Sequence, residues 1–531
     1  MRTLALLWIT LGLAACAATP TGPVTVQVLA INDFHGHLQP PPGGFRQPDP
    51  AQPGKSLSTP AGGIAHLATA VREAMAASPH SLFVAAGDLI GASPLISALA
   101  QDRPTVDLLS RIGLVASAVG NHEFDRGAAA LLALQREAGF QWLAASTVDT
   151  RTGRTILPAY IVRRFDGIDV AFIGLTLAAT PSIVAADGVA GLEFRDEAQT
   201  VNALVPELRA QGIEAIVLLI HEGGFPAQGP NDCPALSGPI TQIVPKLDRA
   251  VDVVISGHTH RAYNCRIDDR LVTSADRYGT VLSKIRLTLD PRTRDITDAQ
   301  ADNVIVATER FAPAPRIAAA VAAYAEQVRP LAERPVGRLA APLANETGSN
   351  GEMPAGRLIA DAQLAATAAP AAGGAQIALM NPGGVRAALR PRADGMLTFG
   401  DLFAAQPFYN NLVTLTLSGA ELQAVLERQW AGQPFPRVLQ VSHGFSYRWD
   451  AAQPPGRRVV PDSLQLHGRT LRADEPLRIT VNSFLAGGGD LFDAFKAGRD
   501  RRTGVMDIDA LEAYVRNGAA PDDVPRLQRL N

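Results

Sequence analysis

Residues able to do metal and acid–base chemistry recur at five places in this chain, each directly behind an apolar stretch. The fullest is Gly120-Asn121-His122-Glu123-Phe124-Asp125, where an amide, an imidazole and two carboxylates fall within five residues. The others are Asp33-Phe34-His35, Gly87-Asp88, His221-Glu222-Gly223-Gly224 and Gly257-His258-Thr259-His260. One histidine alone is more often structural than a ligand. Here six of the ten histidines fall in or beside these motifs, counting His37, to which no role is assigned. Mixed carboxylate, amide and imidazole donors suit borderline divalent ions such as Mn, Zn, Co or Fe, not calcium.

The stretches that precede these motifs read as buried strands: Val24 to Ile31, Ser81 to Ala86, Leu114 to Val119, Ala215 to Ile220 and Asp252 to Ser256. They are short, rich in β-branched residues and bounded by glycine or polar turns. Asp169 to Leu175 is a further strand, and helical stretches lie at Ile64 to Ala77 and Asp196 to Ala210. Strands alternating with helices indicate βαβ layering. In such sheets ligands collect at the carboxyl ends of the strands. The Pro- and Gly-rich segment Gln39 to Gly63 reads as a long surface loop.

In this order, Asp-x-His, Gly-Asp, Gly-Asn-His-Glu-Phe-Asp, a later His and Gly-His-Thr-His resemble the calcineurin-type metallophosphoesterases, and within them the 5′-nucleotidase branch. The resemblance implies an α/β fold: a four-layer metallophosphoesterase β-sandwich with flanking helices, plus a second α/β substrate-binding domain. It implies two divalent metal ions. One would take Asp33, His35, Asp88 and His260, the other Asp88, Asn121, His221 and His258, with Asp88 bridging. His260 departs from the closest nucleotidases, which often carry an amide there. His122 and Asp125 resemble the family's His-Asp dyad: an imidazolium that stabilises or protonates the reacting phosphate ester, and a carboxylate that orients it.

The alanine-rich stretch Ile317 to Val328, followed by Pro330 and Pro335, reads as a helical connection between domains. Beyond it, Glu352 to Ala366 reads as a helix, Ile377 to Met380 and Leu412 to Leu417 as strands, and Ile479 to Phe484 as another strand. Asn381-Pro382-Gly383-Gly384-Val385-Arg386 offers glycine backbone and a guanidinium fork to an anion. With Gln406-Pro407-Phe408 and the segment Phe484 to Asp490, it resembles the 5′-nucleotidase C-terminal domain. That resemblance makes Asn381, Arg386, Phe408, Phe484 and Asp490 the substrate contacts, the two phenylalanines holding the nucleoside. Read without it, either phenylalanine is core packing and Arg386 a surface ion pair. Family members carry further arginines shortly before Gly356, whereas Asn345 to Ala355 contains none.

At 531 residues the chain is too long for one core. The expected division is a signal segment at 1–16, a dinuclear phosphoesterase domain at 24–310, a helical linker at 311–335 and a substrate-binding domain at 336–527. The net charge of −3 gives no basic footprint for a nucleic-acid polymer. Met1-Arg2-Thr3, the apolar run Leu4 to Leu13 and Leu13-Ala14-Ala15-Cys16 form an export signal. Its ending resembles the lipobox of bacterial lipoproteins, which implies lipidation of Cys16; an ordinary secretory signal is the alternative. Cys233 and Cys265 remain, and in an oxidising compartment they are expected to form one disulfide tying two loops near the metal site. The resulting expectation is a monomeric, periplasmic or cell-surface, lipid-anchored enzyme that releases phosphate from nucleoside 5′-monophosphates. Activity on 2′,3′-cyclic nucleotides, 3′-nucleotides or nucleotide sugars stays open within that class, as does a thiosulfohydrolase at the level of the fold. A non-catalytic nucleoside-binding surface lipoprotein is the alternative of another class.

Overall fold

The computed structural model describes residues 22–49, 51–52, 55–518, 522 and 524–531. The export signal and Cys16 lie outside the described residues. No helix among the described residues is long and apolar enough to cross a membrane.

Two six-stranded sheets pack face to face in the N-terminal half. The first runs in the order Asp295–Ile305, Val281–Asp290, Val24–Ile31, Ser81–Ala85, Leu114–Ala118, Gln141–Leu143. The second runs Ala262–Ile267, Arg270–Ala275, Val253–Ser256, Ala215–His221, Ile168–Thr176, Tyr160–Phe165. The strands that precede the motifs are parallel within each sheet, so their carboxyl ends share one rim. Both faces of each sheet are covered, which is why these strands read as continuous apolar runs, not alternating ones. In the first strand Val26, Val28 and Ala30 face Phe172, Val217 and Leu219 of the other sheet. Leu29 and Ile31 face outward into the cluster containing Ile64, Leu67 and Val71 of the helix Ile64–Ala76. On the far side, Ile173 and Leu218 meet Val201, Val205 and Leu208 of the helix Glu197–Ala210. The layers are therefore helix, sheet, sheet, helix, as the resemblance implies.

The C-terminal half has a five-stranded sheet, Gln440–Val441, Ile377–Met380, Pro476–Asn482, Asn411–Ser418, Arg499–Met506. A four-stranded sheet lies beside it and contains the last strand, Leu527–Leu530, which pairs with Phe445–Asp450. The helix Phe399–Ala405 starts at a capping box, with Thr398 and Asp401 satisfying each other's backbone N–H groups.

Four local readings change. The segment expected as one surface loop contains a hairpin, Phe45–Pro48 with Ser56–Thr59, whose alternation is masked by polar residues and proline. The connecting helix runs Pro315–Ala332 and keeps Pro330 inside its last turn. It is no free tether: Ile317, Val321 and Val328 are buried in the first domain's outer core, while Leu331 and Ala332 pack on the second domain. The strand before Phe484 stops at Asn482, whose side chain accepts from Leu485 N at 2.8 Å and starts the short helix Ser483–Ala486. Cys233 and Cys265 form the expected disulfide, but Cys265 sits in the edge strand Ala262–Ile267, so the bridge ties a loop to a strand.

Candidate active site

The five motifs meet at the shared rim of the two sheets. Ligand-type atoms of Asp33, His35 and His260 lie within 4.8 Å of one another, as do those of Asp88, His221 and His258. A third such group joins His35, Asp88 and His122. The backbone bends sharply to aim them. Asp33, His35, Asp88, His258 and His260 all have positive φ, between 46° and 71°, a conformation costly for residues with a Cβ. Close approach is left to glycine: a Cβ on Gly120 would stand 2.1 Å from Asp88 Oδ1, and one on Gly87 2.6 Å from His221 Nδ1.

Two of the rings are set by their outer nitrogens. His35 Nδ1 lies 2.9 Å from Gly91 O and His221 Nδ1 2.8 Å from Ala86 O. Those carbonyls fix Nδ1 as the donor and leave Nε2 facing the centre. His221 Nε2 is 3.0 Å and His35 Nε2 3.6 Å from Asp88 Oδ2, while His260 Nε2 is 3.2 Å from Asp33 Oδ1. Asp33 Oδ1, Asn121 Oδ1 and His221 Nε2 are buried without a hydrogen-bond partner among the described residues. Unpartnered buried oxygens and an imidazole nitrogen at this rim fit bound cations. Burial drives the His35, His258 and His260 pKa values down, that of His258 to about 3 with help from His221. Neutral imidazole is the form that binds metal. At His221, burial is outweighed by Asp88 and Asp33, which pull the ring up to about 10. The same negative field acts on any cation placed between them.

His122 Nδ1 lies 2.9 Å from Asp125 Oδ2, so the two side chains are hydrogen-bonded. Burial opposes its charge, but Asp125 and Asp88 prevail and raise its pKa. Two positioning residues have no forecast in the motif reading. Glu123 is buried and accepts from the backbone N–H groups of Gly120 at 2.7 Å, Asp88 at 3.0 Å and Leu89 at 2.8 Å. It locks the loops behind two neighbouring strands together. Asn32 donates to Asp33 Oδ2 at 2.6 Å and accepts from Ala275 N at 2.7 Å, joining the two sheets at the rim.

Over this centre lies a cavity of about 840 Å³, lined from one side by Asn121, His122, Asp125 and His258. The other wall comes from the C-terminal half and includes Asn381, Arg386, Phe408, Phe484 and Asp490. All five expected substrate contacts therefore reach one cavity. Phe408 stacks on His122, with centroids 5.8 Å apart and planes at 21°. Arg386 has Nε and Nη2 buried without a partner among the described residues, and its charge is felt at His35, His122 and His260. It points toward the centre and is no surface ion pair. Asn381 donates to Asp490 Oδ2 at 2.8 Å and accepts from Asn482 at 2.9 Å. Arg437, unmarked by any motif, pairs with Asp490 Oδ1 at 3.0 Å and lines the same cavity. Asn350 and Glu352, in the arginine-free stretch, bond each other and residues near the C-terminus instead: Asn350 donates to Leu527 O at 3.1 Å and Glu352 accepts from Arg526 N at 2.8 Å.

Residues 26–262 match the calcineurin-like phosphoesterase family model, and residues 335–497 match that of the 5′-nucleotidase C-terminal domain. The chain is 31% identical to an endonuclease of Bacillus subtilis over 94% of its length, spanning 40% of that protein. It is 29% identical to a cell wall protein of Listeria monocytogenes, covering 91% of this chain and 66% of the relative. The chain thus spans less than two thirds of either relative. The crystal structure of a 5′-nucleotidase precursor from Thermus thermophilus superposes with a TM-score of 0.79 at 26% identity, over 96% of this chain and 100% of that one. With both of its halves matched and one solved structure superposing along nearly its whole length, the chain belongs to the calcineurin-like phosphoesterases that carry a 5′-nucleotidase C-terminal domain.

Proposed function

We propose that this protein hydrolyses nucleoside 5′-monophosphates to nucleoside and phosphate outside the cytoplasm. The observation that carries the reading is the single cavity in which Phe408 stacks on His122. It sets aromatic rings suited to a base beside a dyad suited to a phosphate ester.

In this reading Asp33, His35, Asp88 and His260 hold one divalent ion, and Asp88, Asn121, His221 and His258 a second. Such a pair supplies positive charge at the phosphoryl oxygens and a nucleophile at neutral pH. Asp125 keeps the proton on His122 Nδ1 and leaves Nε2 to face substrate. As water adds to phosphorus and the P–O5′ bond breaks, His122 gives its Nε2 proton to the departing oxygen. Arg386 presents donors to the phosphoryl oxygens in the planar fork that suits them. Phe408 and Phe484 take the base, and Asn381 with Arg437 holds Asp490 in place for the ribose.

The test is a substrate panel on the metal-loaded protein: AMP, 3′-AMP, 2′,3′-cyclic AMP, UDP-glucose and bis-p-nitrophenyl phosphate, each with Mn, Zn and Co. The highest kcat/KM is expected for AMP. No hydrolysis of AMP with any of these ions overturns the reading. Export and anchoring rest on the N-terminal segment. Wild-type protein should fractionate with membranes and carry lipid on its N-terminal peptide, and Cys16→Ala should be unlipidated. Wild-type protein found wholly in the soluble periplasmic fraction without lipid mass rules the anchor out.

A further inference from the structure

We propose that Arg277 acts through His260 to loosen one of the two metal sites. The ion held by Asp33, His35, Asp88 and His260 then exchanges with the medium, while the ion held by Asp88, Asn121, His221 and His258 stays bound. This rests on the two-ion reading above. What stands behind each imidazole differs. His35 and His221 have the carbonyls of Gly91 and Ala86 behind Nδ1, and His122 has the carboxylate of Asp125. All three are acceptors. Behind His260 Nδ1 stands Nη1 of Arg277, at 3.4 Å. A guanidinium carries only donors.

The outer partner decides which ring nitrogen can face a cation. A carbonyl or carboxylate behind Nδ1 takes the ring proton and leaves the Nε2 lone pair to a metal. A guanidinium behind Nδ1 is satisfied only by a lone pair there, which puts the proton on Nε2. His260 Nε2 is the atom that faces the centre, 3.2 Å from Asp33 Oδ1 and 3.1 Å from His35 Nε2. When Nε2 binds an ion, the neutral ring carries its proton on Nδ1, and two N–H groups face each other. His260 is therefore a ligand whose outer partner opposes ligation. Charge acts in the same direction. Arg277 lines a second cavity, of about 670 Å³, with Arg46, Arg261, Arg386 and Arg390, five arginines against three carboxylates. Arg386 and Arg277 both oppose positive charge on the His260 ring.

The backbone that carries Arg277 is pinned on both sides. Asp276 O accepts from Asn32 Nδ2 at 2.7 Å, and Tyr278 N donates to Asp33 O at 2.7 Å. The turn is thus tied to the strand end that carries Asp33. The guanidinium lies 4.9 Å from the Tyr278 ring centroid. That ring is itself stacked on His37 at 3.7 Å and stands edge-on to His260 at 5.8 Å. Among the described residues His260 Nδ1 is the side-chain hydrogen-bond partner of Arg277. The mismatch is therefore built into the site. Its consequence is an enzyme with one resident ion and one drawn from its surroundings, whose activity follows the supply of free divalent metal.

Calorimetric titration of the metal-stripped full chain with Mn reads both sites without turnover. The wild type should show two dissociation constants, and gel filtration of the loaded protein should strip one of the two ions. Arg277→Gln offers an acceptor and no charge. It should tighten the weaker constant by about 10- to 100-fold, the usual scale for an outer partner of a metal-bound histidine, and leave the tighter one in place. Arg277→Lys keeps charge and donors and should stay near the wild type. In a His260→Asn background Arg277→Gln should lose most of its effect. A weaker constant that is unchanged or poorer in Arg277→Gln overturns the inference, as does a full gain in the His260→Asn background. If thermal unfolding shows the Gln variant to be damaged, Arg277→Met is held to the same constants. If the wild type takes up a single ion at saturating Mn, the two-ion reading of the native protein fails. A second ion appearing in Arg277→Gln then supports the inference, and its absence overturns it.

Discussion

The Asp88 carboxylate divides its two oxygens between the frame and the centre. Oδ1 accepts from the backbone N–H of His122 at 2.9 Å, while Oδ2 lies between the Nε2 atoms of His221 and His35. Asp88 would therefore offer its charge to a cation while its other oxygen still holds the His122 loop. Asp88→Asn keeps the bond to His122 and removes the shared charge. Elemental analysis should show loss of both metals, and activity should fall with them; a variant with two tightly held ions and near-normal turnover refutes the dinuclear assignment. His122 is the complementary case. His122→Asn should lower kcat by about 10²–10⁴ with metal content intact, the range for a general acid–base group. Because His122 also stands within ligand distance of His35 and Asp88, loss of metal in that variant would reassign it as a ligand. Motif reading finds these side chains, but it gives no role to Glu123 or Asn32. The bonds that tie one loop or sheet to the next span 34 residues for Glu123 to Leu89 and 243 for Asn32 to Ala275, and no local pattern records them.

At the scale of elements, the strand ends do the aiming. Apolar runs betray the strands because both faces are buried, and their boundaries match the sequence to within a residue or two. The turns that follow are less legible. Five non-glycine residues in left-handed conformation cost local free energy that only the packed sheets repay, so their geometry is absent from local propensity. One strand start gives a separate test. Asp252 precedes the strand Val253–Ser256 and accepts from Ile216 N at 2.8 Å, pinning it to the strand Ala215–His221. Burial, reinforced by Asp295, pushes its carboxyl from 3.8 up to about 8. The folded protein thus binds this proton more tightly than the unfolded chain does. The contribution to stability is full below pH 4 and is lost as pH rises toward 8. Asp252→Asn keeps the acceptor and removes the titration. Its Tm should exceed that of the wild type at pH 8 and approach it at pH 4; an equal difference at both values excludes this carboxyl as the source.

At the scale of the molecule, the two halves meet across the candidate active site. Phe408 covers His122, Phe225 packs edge-to-face on Phe435 at 5.4 Å, and Arg46 pairs with Glu346. A base held by one half reaches the centre in the other only in such a closed arrangement. Phe484→Ala should raise KM for AMP by roughly 5- to 150-fold, the value of one base–aromatic stack. Turnover of a small aryl phosphate should change far less. If the ratio of kcat/KM for AMP to that for the aryl phosphate stays constant, the ring is core packing and the nucleoside reading loses its main support.

Composition and order of residues determined the donor set, the β/α alternation that carries it, the disulfide partners and the family, because each is written in short segments of fixed chemistry. Tertiary structure decided what depends on separate segments meeting. It set which oxygen of Asp88 faces His221 and His35, the locking role of Glu123, and the burial of two Arg386 nitrogens beside the centre. It also gathered Arg46, Arg261, Arg277 and Arg390 into one cavity. Arginines scattered through a chain of nearly balanced charge carry no signal until folding brings them to one surface.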